Sequence, residues 1–182
     1  MNYSEIKPLD IADGEGIRVS LFVSGCRNRC RGCFNPETWS FSHGKLFDES
    51  VAAHILKLLE PPHISGLTLL GGEPFEPENQ RELLKLLREV RAKFQKKDIW
   101  AYTGYIFERD LFEGGRAHCA ATDEMLSLID ILVDGPFIDD RKNISLRFRG
   151  SDNQRIIDLR RTREEAKTVL WGKPPTANAR IN

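Results

Sequence analysis

Short apolar runs alternate along the chain with longer amphipathic stretches. The runs are Val19–Val23 (VSLFV), Leu67–Leu70 (LTLL), Ile99–Tyr102 (IWAY), Ile131–Val133 (ILV) and Arg155–Leu159 (RIIDL). They are short and apolar, as strands buried in a parallel sheet tend to be. Between them the period lengthens to that of a helix. Asp48 can cap a helix carrying Val51, Ile55, Leu58 and Leu59. Leu83, Leu84, Leu87, Val90 and Phe94 form an apolar stripe, with Arg81, Glu82, Lys85, Arg88 and Glu89 around it. Thr122 can cap a third helix with Met125, Leu128 and Ile129 inward.

Strand followed by helix, repeated, predicts βαβ units and a mainly parallel sheet. A closed eight-fold barrel takes about 250 residues, and this chain has 182. The expected fold class is therefore α/β, as an open, partial TIM-like βα barrel or a twisted open sheet. One domain is expected, at residues 1–160. Residues 161–182 read as a short helix and a flexible end, which Leu170 and Trp171 could dock.

Charge narrows the function classes. Lys plus Arg and Asp plus Glu are 27 each, which argues against a broad nucleic-acid footprint or a membrane-surface protein. No apolar run approaches the roughly 20 residues of a membrane span. The opening residues MNYSEIKPLD lack the pattern of a secretory signal. A cytoplasmic location is expected.

The cysteines change the picture most. Cys26, Cys30 and Cys33 lie within eight residues of each other, and Cys119 stands apart. In a reducing compartment such a group reads as metal or cluster binding rather than as disulfides. Three thiolates are one short of a closed structural zinc site or an ordinary four-iron site. They leave one metal position open, as catalytic sites do. Arg27, Arg29 and Arg31 are interleaved with them and can lower thiol pKa values. A zinc site completed by Cys119 or a histidine is the competing reading, and a non-enzymatic iron–sulfur carrier is another.

Position supports chemistry. The cysteines follow the first apolar run, Gly71-Gly72-Glu73-Pro74 the second, Thr103-Gly104-Tyr105 the third and Asp134-Gly135 the fourth. All sit where parallel α/β folds place their ligands, at the carboxyl ends of strands.

Cys-x3-Cys-x2-Cys after one strand, with Gly-Gly-Glu-Pro after the next, resembles the radical S-adenosylmethionine superfamily. Asp13-Gly14-Glu15-Gly16-Ile17-Arg18, Thr103-Gly104-Tyr105, Leu132-Val133-Asp134-Gly135 and Arg149-Gly150-Ser151 are similar to the activators of anaerobic ribonucleoside-triphosphate reductase. The resemblance covers about residues 1–160. It departs from the wider superfamily at Gly32, where an aromatic residue often precedes the third cysteine; here Phe34 follows Cys33.

The resemblance implies an oxidoreductase. Cys26, Cys30 and Cys33 would hold a [4Fe-4S] cluster, and the catalytic role is theirs through it. Gly32, Cys33, Phe34, Gly71, Gly72, Glu73, Thr103 and Asp134 would contact S-adenosylmethionine, with Gly71 and Gly72 letting the backbone approach its amino group. Reductive cleavage there would place a glycyl radical on the large subunit of the reductase. The electron would come from a flavodoxin- or ferredoxin-type donor. The alternatives within the superfamily are an activator of another glycyl-radical enzyme, of the pyruvate formate-lyase type, and a small-molecule enzyme. Asp13–Gly16 reads either as a surface turn or as part of the active-site mouth. Arg18 either pairs with a carboxylate or serves the cofactor.

Overall fold

A strand precedes the one that the apolar pattern finds first. The structure, a computed structural model, describes residues 1–172. Strand β1 (Asn2–Asp10) pairs antiparallel with β2 (Ile17–Val23) and carries the two-residue edge strand β3 (Lys45–Leu46) on its other side. Most of β1 is only half-buried and its sequence is largely polar, so no apolar run betrays it.

Strands β4 (Ile64–Gly71), β5 (Asp98–Tyr102) and β6 (Ile131–Asp134) continue parallel from β2. Strand β7 (Arg155–Asp158) corrects the expectation of a parallel fifth run, because it pairs antiparallel with β6. A parallel return needs a crossover element, usually a helix. Between β6 and β7 there is only a three-residue 3-10 turn at Asp139–Arg141. The sheet is thus a mixed one with a parallel centre, in the order β3-β1-β2-β4-β5-β6-β7. Its edge strands, β3 and β7, do not pair, so the sheet is open.

Helix α1 (Glu49–Leu59) starts where Asp48 accepts a hydrogen bond from Val51 N at 3.1 Å. Helix α2 (Pro77–Lys93) buries Leu83, Leu84, Leu86, Leu87 and Val90. The short α3 (Phe107–Asp110) and α4 (Thr122–Leu128) follow, and α5 (Leu159–Glu165) is capped by Asp158. Thr122 does not cap α4. It is the first helical residue, and its hydroxyl donates to Gln80 Oε1 at 2.6 Å while accepting from Cys119 N.

Strand periodicity divides the two faces of the sheet. Val19, Leu21, Val23, Leu67, Leu69, Ile99, Ala101 and Leu132 join the helices in the main core. The opposite face carries a smaller cluster of Trp100, Ile131 and Val133, with Tyr102, Phe148 and Trp171 against it. Trp171 lies edge-on to Trp100 at 5.5 Å, and its backbone N–H donates to Ile156 O. Leu170 forms a bridge to Ile157. Residues 173–182, including most of the end expected to be flexible, lie outside the described residues.

Arg18 resolves toward the carboxylate. It is fully buried, 2.6 Å from Asp98, and donates to Thr68 Oγ1 and Leu67 O. It sits at the opposite end of β2 from the cysteines.

Candidate active site

Strands β2, β4, β5 and β6 run in one direction, so the loops that follow them meet at one edge. The cysteine loop is pinned there by backbone bonds from Gly25 N to Thr38 O (2.7 Å), Cys26 N to Trp39 O (3.1 Å) and Glu73 N to Gly25 O (2.9 Å). Gly71 and Gly72 have a structural reason beyond any ligand. A Cβ on Gly71, at φ +100°, would fall 2.8 Å from the backbone of Phe22 and Val23; on Gly72 it would fall 2.7 Å from Gly25 O. The two glycines let the second loop press against the first.

A cleft of about 640 Å³ opens beside these loops, within the usual range of ligand sites. Cys26, Cys30, Cys33, Phe34, Gly71, Gly72, Glu73 and Thr103 all line it. Gly32 and Asp134 do not. Gly32 faces outward against the Asp139 side chain. Asp134 shares strand phase with Leu132, which points at the helices. Its carboxylate accepts from Phe107 N and is paired with Arg155, so it ties α3 to β7.

The four cysteines are free thiols. Burial pushes the Cys26 thiol up to about 12, with the nearby Glu73 carboxylate adding to the shift. Burial also raises Cys30. This corrects the expectation that the interleaved arginines activate the thiols. Arg27 turns away to Glu76 and Glu78, while Arg29 and Arg31 are exposed and unpaired among the described residues. The Cys26 and Cys30 thiols of the bare loop are therefore protonated, and an incoming metal must displace their protons.

The donor set fits an iron–sulfur cluster. Three thiols of one loop face one cleft, and no three His, Cys, Asp or Glu side chains among the described residues converge on a single ion. Thiols that each meet a different metal atom stand farther apart than those sharing one. Cys119 packs against the helix-side core and His118 contacts Asp123 at 3.3 Å; neither lines the cleft.

Glu73 is 1% exposed, yet no cation pairs with it among the described residues. Its Oε1 accepts from Phe75 N (3.0 Å) and Thr103 Oγ1 (2.8 Å), and its Oε2 from Gly104 N (2.8 Å) and Asn28 Nδ2 (3.0 Å). Burial outweighs these donors and pushes the carboxyl up to about 7. Such a group is stabilised by a ligand that brings positive charge or strong N–H donors. Asn28 carries no sequence signal, being one polar residue in a polar loop; only the fold brings it to Glu73.

A second polar group lines the same cleft. Asp13 and Tyr102 line the cleft, Tyr102 from beside the smaller apolar cluster. The Tyr102 hydroxyl is buried without a hydrogen-bond partner among the described residues. Burial, then the hydrogen bond with Asp10 and its charge, raises Asp13 to about 7. A carboxyl raised above its unfolded value of 3.8 costs nothing at low pH and destabilises the fold as pH climbs through 7. Asp13→Asn should match the parent at pH 4 and exceed it by about 1–2 kcal/mol at pH 8, a figure reduced for partial exposure. Urea unfolding of the metal-free proteins at the two pH values measures this. Equal stabilities at pH 8 would sink it.

The far lip is residues 136–154. Gln154 Oε1 accepts from Gly150 N (2.9 Å) and Ser151 N (3.1 Å), Arg149 donates to Gln154 O (2.6 Å) and Asn153 to Pro136 O (2.8 Å). These bonds shape the lip, and Arg149, Gly150 and Gln154 line the cleft. Phe34 meets Phe137 at 5.1 Å and joins the lip to the cysteine loop.

The family described as 4Fe-4S single cluster domain matches residues 12–157. Among curated proteins, the anaerobic ribonucleoside-triphosphate reductase-activating protein of Haemophilus influenzae is 44% identical over 86% of this chain and 97% of its own. Those of Enterobacteria phage T4 and Escherichia coli (strain K12) are 41% and 40% identical. They cover 86% and 88% of this chain, and 93% and 100% of their own.

Proposed function

The chain belongs to the 4Fe-4S single cluster domain family and to the anaerobic ribonucleoside-triphosphate reductase-activating proteins, and from that premise we propose that it is the S-adenosylmethionine-dependent activase of such a reductase. The observation that carries the reading is the meeting of three free thiols and the cationless Glu73 in one cleft. Helices on one face of an open sheet, with chemistry at the carboxyl edge of its parallel strands, support a partial barrel of the radical S-adenosylmethionine type.

A [4Fe-4S] cluster bound here supplies the electron that cleaves S-adenosylmethionine reductively, so that a hydrogen atom is taken from a glycine of the reductase. The rest is positioning. Cys26, Cys30 and Cys33 would hold the cluster, which would have no fourth protein ligand and could take the amino and carboxylate groups of S-adenosylmethionine. Glu73 accepts from that amino group, in place of Asn28 Nδ2. Thr103 and Gly104 N fix the Glu73 carboxylate from behind. Phe34 and Phe137 shield the cleft from water on the side of the far lip. No side chain needs to act as a general base.

The Tyr102 hydroxyl, buried without a partner among the described residues, and Asp13 line the cleft and suit the polar backbone of an extended segment. Asp13 on one lip and Lys142–Leu146 on the other leave room for that segment to enter. The electron then needs a second route, since the cleft is filled. Arg29 and Arg31 on the outer side of the cysteine loop suit an acidic flavodoxin- or ferredoxin-type donor. No helix among the described residues is long and apolar enough to cross a membrane, and the reading places the protein in the cytoplasm with no nucleic-acid contact.

The test is anaerobic reconstitution with iron and sulfide, reduction, and addition of S-adenosylmethionine, with 5′-deoxyadenosine as the readout. With the large reductase subunit present, a glycyl-radical doublet should appear by EPR. With flavodoxin as donor the rate should fall as salt rises; with dithionite it should not. Four-iron absorbance without cleavage, with the reductase present, would reduce the protein to a carrier.

A further inference from the structure

The segment between the first two cysteines is gripped from outside the cleft. Glu76 is 1% exposed and stands at the amino end of α2. Its side chain does not cap that helix. It reaches the cysteine loop instead. Oε1 accepts from the backbone N–H of Arg27 at 2.7 Å and from the Tyr105 hydroxyl at 3.2 Å, and Oε2 pairs with the Arg27 guanidinium. The guanidinium also forks onto Glu78, at 2.9 and 2.6 Å, and lies 4.4 Å from the Phe41 ring centre.

The grip continues to the next residue. Arg116 lies 4.6 Å from the Tyr105 ring centre and is held at 3.1 Å by Asp110. It reaches Asn28 Oδ1 at 3.4 Å, and Asn28 Nδ2 in turn donates to Glu73. Arg27 and Asn28 are thus fixed by residues from α2 and from the loops around α3, none of which is a thiol or lines the cleft apart from Glu73.

The geometry points to Glu76 as a positioning residue for the three-thiol site: it fixes the backbone at Arg27 so that Cys26 and Cys30 are already spaced when metal arrives. The inference rests on the proposed function, in which these cysteines hold a cluster. The physical reason is entropic. A short loop that must bind at three points loses freedom at each. A buried carboxylate that holds one backbone N–H and the adjoining side chain settles part of that loss during folding. With the bond broken, the loop is freer to open and release iron. Outer partners of metal ligands typically matter by 10–100-fold in affinity.

The test compares the full chain, Glu76→Ala and Glu76→Gln, all reconstituted anaerobically and then exposed to excess ferrous chelator. Glu76→Ala should release iron about tenfold faster or more. Glu76→Gln keeps an oxygen for the Arg27 N–H but turns an N–H2 donor toward the guanidinium and loses that ion pair, so it should fall between Ala and the parent. Melting of the metal-free proteins controls for folding. The partial rescue by Gln is the mark of positioning, since general loosening would not follow the Arg27 N–H bond. Where Glu76→Ala does not fold, Glu76→Gln decides alone: faster release supports the role. Release at the parent rate from the folded variants overturns it while leaving the cluster assignment intact. If the parent itself takes up no iron, the cluster assignment falls and this role falls with it.

Discussion

Cys30→Ala is expected to abolish 5′-deoxyadenosine formation and to prevent a stable four-iron absorbance, while the metal-free protein melts as the parent does. The thiol is half-buried and pushed toward its protonated form, so its loss removes a small neutral group from the folded chain. Its loss from the loaded protein is different. Two thiols remain for a cluster that already lacks a fourth protein ligand, and no other cysteine lines the cleft. The loss should exceed the roughly 100-fold upper range for changes to outer partners of metal ligands. Cys119→Ala sharpens the result. Cys119 packs on the helix side and its N–H bonds Thr122 Oγ1, so loading and turnover should stay at the parent level. The competing zinc reading, in which Cys119 completes the site, requires Cys119→Ala to fail as Cys30→Ala does. Iron and sulfide analysis of both variants after the same reconstitution decides the matter.

What could be read beforehand from residue order was the part encoded locally. Cysteine spacing, the double glycine before Glu73 and the placement of both after apolar runs need no tertiary information, because a strand end is marked in the chain itself. The parallel centre of the sheet followed from the same runs. Strand β1 escaped because its half-exposed, polar face lacks an apolar run. The reversal of β7 escaped because a run such as RIIDL carries no mark of direction. Only the missing crossover between Asp134 and Arg155 could have signalled it.

The site shows the same division. Asp134 was expected to meet the cofactor because it ends a strand, but one step of strand phase decides its side. Leu132 points to the helices, so Asp134 does too, and Phe107 and Arg155 take its carboxylate. Asn28 and Glu76 matter through partners 45 and 49 positions away. The arginines were read for their charge, and their direction reversed the conclusion. Arg27 neutralises glutamates rather than thiols, which leaves burial to govern Cys26.

Glu73→Gln should weaken S-adenosylmethionine binding by about 10- to 100-fold, the equivalent of one hydrogen bond to a charged acceptor, and leave iron loading near the parent level. The carboxylate offers four acceptor positions, all filled here by N–H or O–H donors. Two of those donors are backbone N–H groups, Phe75 on one oxygen and Gly104 on the other, and neither can reverse. A glutamine must aim its own N–H2 at one of them. It therefore loses a bond in the apoprotein as well as the charge that draws the ligand's amino group. The pH profile separates this from a simple packing defect. Glu73 sits near 7 when no ligand is bound. An amino-group donor favours the ionised form, so binding to the parent should weaken as pH falls below 7, by up to about tenfold per unit. Glutamine has no such proton. Measured between pH 6 and pH 8 on the reduced, loaded proteins, the ratio of parent to variant affinity should therefore grow with pH. A constant ratio would show that Glu73 braces Thr103 and Gly104 without meeting the ligand, and the amino group would then need another acceptor in the cleft.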